Sequence, residues 1–188
     1  MIVTVPGLRG YVADHWQTRL AADLSNVRPV PPLGRDNPSL ADRVAAVQEI
    51  VQSAEAPVIM VGHSAGVIVT VHWAARFGVP DGVVRGALLA TPPDLSAELP
   101  AEYPSLAVLE QWGWLPIPLS PLPFPSIVAA SADDRLGEPA RVRALADAWG
   151  SRYRDLGAVG HLNPASGYGH WPEAELLIKE FDTVEAPR

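Results

Sequence analysis

Pro57-Val58-Ile59-Met60-Val61-Gly62-His63-Ser64-Ala65-Gly66 is the stretch on which the fold turns. Val58 to Val61 is an unbroken apolar run, the pattern of a strand covered on both faces. A helical segment from Ala65 to about Phe77 follows Ser64 at once. Gly62-x-Ser64-x-Gly66 therefore satisfies G-x-S-x-G in the strand-turn-helix setting that this motif requires. An ordinary turn also favours small residues, but here the flanking strand and helix point to a nucleophile elbow. The serine of such an elbow sits in strained backbone, so its neighbours must be small where the chain passes close to adjacent elements. Gly62 and Gly66 meet that need. The helix that follows aims its first amides at the serine oxygen, which makes the Ala65 N–H a candidate oxyanion donor.

Outward from the elbow, strands alternate with helices. Ile2 to Val5 reads as a short strand broken by Pro6-Gly7, and a helix from Asp14 to Leu24 follows with Asp14 as its expected cap. Beyond the proline-containing stretch Pro29 to Pro38, Leu40, Val44, Val47, Ile50 and Val51 fall at helical spacing, with Ser39 as N-cap. Val83 to Ala90, Ser126 to Ser131 and Arg152 to Leu156 read as strands. Glu138 to Trp149 reads as a helix, and a last helix starts near Pro172. Nine of the 20 prolines lie between Pro92 and Pro125, so neither a long helix nor a central strand can occupy much of that stretch. It is expected to form a loop over one end of the sheet. The fold class is thus α/β: a mostly parallel sheet with helices on both faces, expected as one domain spanning residues 1–188.

Composition narrows the function classes. The 188 residues are 48% hydrophobic, enough for a real core. Net charge is −7 with the charges scattered, which argues against a nucleic-acid surface. Without cysteine there is no disulfide, thiol nucleophile or thiolate metal site. H-E-x-x-H and the phosphate-cradling glycine patterns are also missing, so neither a metal nor a nucleotide cofactor is expected. The N-terminus opens directly into a strand-like run, and no stretch approaches a membrane-spanning length. A cytoplasmic protein without membrane contact is the expectation.

Acid and base should follow the nucleophile in the order serine, carboxylate, histidine. Ile127 to Ser131 ends in Ala132-Asp133-Asp134, which places two carboxylates at the end of a strand. Either could turn inward, and the residues alone leave both open. His161, in Val159-Gly160-His161 after the last strand, is the expected base. His170 is its rival, but beside Gly169 and before Trp171-Pro172 it suits a helix start. His63 and His72 are expected to be structural. Pro6-Gly7-Leu8-Arg9-Gly10 occupies the place of the loop that supplies a second oxyanion donor, and the Leu8 N–H is the candidate.

These residues resemble the small serine hydrolases typified by retinoblastoma-binding protein nine and the bacterial YdeN-like proteins. The likeness spans nearly the whole chain. It rests on Pro6-Gly7-Leu8 with Asp14-His15-Trp16-Gln17, on Gly62 to Gly66, on Ser131-Ala132-Asp133-Asp134, and on Gly160-His161-Leu162-Asn163 with Ser166-Gly167 and Trp171-Pro172. The resemblance implies that the acid is the second aspartate of the pair, Asp134, 27 residues before His161. It also implies a minimal α/β-hydrolase core without a separate cap domain. Two departures bear on pocket shape. Arg135-Leu136 stands where many relatives have a proline and an aromatic residue, and Arg9 and Tyr11 stand where smaller residues are common.

The chemistry expected is carboxylesterase-like cleavage of a small-molecule acyl substrate through an acyl-enzyme. Amidase or thioesterase activity would use the same machinery, and a hydrolase-fold binding module with little activity is a third class. Tyr103, Trp112, Trp114 and Phe124 of the proline-rich stretch are candidate pocket residues, although aromatic residues also serve as ordinary core.

Overall fold

The computed structural model describes residues 1–33 and 37–182, so residues 34–36 of the proline-containing stretch and the last six of the expected domain lie outside the described residues. Among the described residues six strands pair in parallel in the order β2-β1-β3-β4-β5-β6. They are β1 (Ile2–Val5), β2 (Val27–Pro29), β3 (Val58–His63), β4 (Val84–Ala90), β5 (Ser126–Ala130) and β6 (Arg152–Asp155). Side chains alternate across a strand, and here both faces are buried. Val3, Met60, Leu89 and Val128 enter one apolar layer, whereas Ile2, Ile59, Leu88 and Ile127 enter the other. That two-sided burial is why the central strands read as continuous apolar runs.

Three helices, α2 (Leu40–Gln52), α3 (Ala65–Phe77) and α5 (Pro139–Ala148), cover the first face together with the short α4 (Leu106–Gln111). The second face is covered by α1 (Trp16–Asp23) and α6 (Glu173–Glu180). Ser39 caps α2 as its sequence predicts, its hydroxyl accepting from Asp42 N–H at 3.2 Å. Asp14 does not cap α1. His15 does, its Nδ1 accepting from Gln17 N–H at 3.2 Å, while Asp14 points to solvent and pairs with Arg19 at 3.3 Å. The proline-rich stretch runs as loop except for α4, which Ser105 caps. No helix among the described residues is long and apolar enough to cross a membrane.

This strand order fixes where a ligand can sit. From β1 the chain moves outward to β2 and then returns to β3 on the other side of β1. The switch point therefore lies between the C-terminal ends of β1 and β3, where open parallel sheets leave a crevice. Pro6-Gly7-Leu8 leaves β1 there and Ser64 leaves β3 there. The first turn of α3 is pressed against β1 at this point. A Cβ on Gly66 would stand 2.1 Å from the Val5 carbonyl oxygen, an overlap only backbone movement can relieve. Gly66→Ala is expected to destabilise the fold by about 3 kcal/mol or more, read as a lower urea midpoint with unchanged m-value.

Candidate active site

Ser64 occupies φ 55° and ψ −127°, a conformation that costs energy for any residue with a side chain. The fold holds it there. Its N–H donates to the Ala90 carbonyl at 2.9 Å, and Gly7 leaves only van der Waals room beside the Ser64 Cβ. Thus raised above the sheet, Ser64 Oγ lies 2.8 Å from His161 Nε2. His161 Nδ1 in turn lies 2.8 Å from Asp134 Oδ2. An ionised carboxylate only accepts, so the His161 Nδ1–H donates to Asp134, and Nε2 is left with its lone pair toward the serine hydroxyl. Leu136 N–H donates to the other Asp134 oxygen at 2.9 Å, and the Asp134 side chain is 2% exposed.

Asp133, which the sequence could not separate from Asp134 without the family resemblance, has a different place. Its Oδ1 accepts from Gly160 N–H at 2.7 Å and from the Ser131 hydroxyl at 2.8 Å. Those bonds hold its carboxyl below the ordinary range, the Gly160 amide first and Ser131 second. Asp133 thereby fastens the loop one residue before His161. The rest of the loop is held by groups that sequence reasoning did not single out for this task. His161 N–H donates to Ser166 Oγ at 3.1 Å. The His161 carbonyl lies 2.9 Å from His63 Nε2, and Trp16 Nε1–H donates to the Leu162 carbonyl at 3.1 Å. Gln17, 1% exposed, donates from Nε2 to the carbonyls of Val5 and Val61, tying the ends of β1 and β3 together. The sequence signals for these roles were Asp14-His15-Trp16-Gln17, His63 within Gly62 to Gly66, and Ser166-Gly167 in the family resemblance. His170 is exposed and outside the site.

A cavity of about 170 Å³ opens beside Ser64. Its walls are mostly apolar: Leu95, Leu99, Leu109, Trp114, Leu136 and Ile68 line it. Of the four aromatic residues expected there, Tyr103 and Trp114 line the cavity. Trp112 is 43% exposed as the C-cap of α4, and Phe124 is packed into the core 6.4 Å from the Trp73 ring. Leu8 and Ala65 both border the cavity next to Ser64. As the first residue of α3, Ala65 has an N–H with no partner inside the helix.

Three imidazoles follow one another beneath the cavity. The ring centroids of His15 and His63 are 4.5 Å apart, and those of His63 and His161 are 5.0 Å apart. Burial, and then the nearby His161, pushes His15 from 6.5 down to about 4. The same two causes, burial first, hold His63 well below the ordinary histidine value. Both stay neutral in the fold while their unfolded counterparts take up protons below about pH 6.5. Stability is therefore complete above that pH and is lost as pH falls toward 4, by about 3 kcal/mol from His15 alone. His15→Asn keeps an oxygen to cap α1, so it is expected to show a shallower loss in urea midpoints between pH 7 and pH 4.

A family model for serine hydrolases matches residues 2–180. The chain is similar to a YdeN-like hydrolase from Pectobacterium atrosepticum, with TM-score 0.82 and 26% identity over 100% of this chain and 92% of that one. The ydeN gene product of B. subtilis superposes with TM-score 0.73 at 16% identity, covering 97% and 98% of the two chains. Est1E from Butyrivibrio proteoclasticus, solved with ferulic acid bound, superposes with TM-score 0.65 at 12% identity, covering 96% and 85%. No curated protein matches the chain. The fold is that of the α/β-hydrolases, with no separate cap domain evident among the described residues.

Proposed function

Since the chain belongs to the serine hydrolase family, we propose that Ser64, His161 and Asp134 act as nucleophile, acid–base and orienting carboxylate in the hydrolysis of esters whose acyl part is a hydrocarbon chain. The observation that carries this reading is the unbroken hydrogen-bonded chain from Ser64 Oγ through His161 to Asp134, with 2.8 Å at each link. His161 Nε2 takes the proton as Ser64 Oγ attacks the acyl carbonyl. The oxyanion develops between the Leu8 and Ala65 N–H groups, where the end of α3 adds its positive dipole. The imidazolium, stabilised by Asp134, then protonates the leaving alcohol, and the acyl group stays on Ser64. Water enters, loses a proton to His161 and releases the acid. The apolar walls suit a hydrocarbon acyl group, because each methylene buried there contributes about 0.8 kcal/mol.

A covalent intermediate leaves a kinetic mark. With an activated ester such as para-nitrophenyl hexanoate, release of nitrophenolate is expected to begin with a burst equal to the concentration of active sites. The acyl group should be recoverable by mass spectrometry on the peptide containing Ser64. Steady turnover without an acylated peptide, under rapid acid quench, would count against an acyl-enzyme.

A further inference from the structure

We propose that the substrate carries an anionic group several bonds from its scissile carbonyl, and that Arg9 selects it; this rests on Ser64 as nucleophile. Among the described residues, Arg9 is the one lysine, arginine or carboxylate residue lining the cavity beside Ser64, whose described walls are otherwise apolar or uncharged. Its guanidinium stands 5.6 Å from the centroid of the Tyr103 ring. A cation–π contact of this kind takes up none of the guanidinium donors, so they stay available to an oxyanion. No carboxylate pairs with it among the described residues. Arg9, Leu8 and Tyr103 also border a second recess that contains Arg43 and Glu102. Glu102 is turned to Arg135 at 3.6 Å. The one carboxylate that borders this recess among the described residues is thus paired with Arg135 and not with Arg9. Because the whole chain carries −7, its long-range field does not attract anions, and selection falls to this local cation. A cation that merely solvates the rim would discriminate between no substrates.

The anion can sit at the far end of the acyl chain or on the leaving group, and matched ester pairs separate the two. The acyl pair is para-nitrophenyl hexanoate and the mono-para-nitrophenyl ester of adipic acid. The leaving-group pair is the hexanoate of para-hydroxybenzoate and that of its methyl ester. Within each pair the ratio of kcat/KM, anionic over neutral, is independent of the fraction of protein folded. In R9Q the ratio is expected to fall about tenfold in the pair that matches the natural position of the anion. R9K, which keeps the charge without the planar fork, should retain an intermediate ratio. Ratios unchanged within about twofold in both pairs would overturn the proposal. The preference can also be read without turnover, by NMR titration of monomethyl adipate against methyl hexanoate, and of the hexanoate of para-hydroxybenzoate against that of its methyl ester, into the Ser64→Ala protein and its R9Q counterpart. A loss of hydrolysis therefore does not remove the test: equal affinities there refute the role of Arg9, whereas failure of Ser64 to acylate refutes the reading beneath it.

Discussion

Ser64→Ala is expected to lower kcat/KM for an activated ester on the order of 10⁵-fold, to the level left by binding and the oxyanion donors. The loss is large because nothing nearby can replace the oxygen. Ser64 Oγ is the hydroxyl at 2.8 Å from His161 Nε2, and it is held there by a backbone conformation that alanine inherits. The substitution removes one atom from a side chain bordering a cavity, so folding should change little. A normal urea midpoint with lost turnover is the expected pair of results. Residual activity within about tenfold of wild type would mean that water or another hydroxyl attacks the substrate.

His161→Ala should cost about as much, and the double variant with Ser64→Ala should cost no more, because the two act in one proton transfer. Asp134→Asn should cost on the order of 10³- to 10⁴-fold: an amide can donate to Nδ1 and so favours the tautomer whose Nε2 carries the proton. The neighbouring residues provide the control. Asp133→Asn keeps an oxygen that can accept from Gly160 N–H, and its cost should stay within about tenfold. His170→Ala should stay within about twofold, since that side chain is exposed outside the site. Equal losses from His161→Ala and His170→Ala would undo the assignment of the base, and a larger loss from Asp133→Asn than from Asp134→Asn would transfer the acid role.

Much of this architecture was legible because it is written in local pattern. The apolar run before Gly62, the helix starting at Ala65 and the Ser39 cap each follow from spacing that tertiary contacts did not override. β2 escaped because three residues ending in Pro29 have no readable period, and only pairing with β1 makes them a strand. α4 was hidden by flanking prolines, although Ser105 supplies a cap once Pro104 has passed. Asp133 and Asp134 are chemically identical neighbours; what separates them is the turn that sends one to Gly160 and the other to His161. His15 took the cap from Asp14 because its ring is buried against His63, which keeps Nδ1 close to Gln17 N–H. Trp114 lines the cavity while Trp112 does not, a difference created by the C-terminal turn of α4 and invisible to composition.

The central claim is that Ser64 is activated by His161, and reaction with a fluorophosphonate probe tests it without knowledge of the substrate. Stoichiometric labelling of the wild-type protein, mapped by mass spectrometry to Ser64 and lost in Ser64→Ala and His161→Ala, is the expected result. Well-folded wild-type protein that stays unlabelled, or that is labelled at another residue, would contradict it.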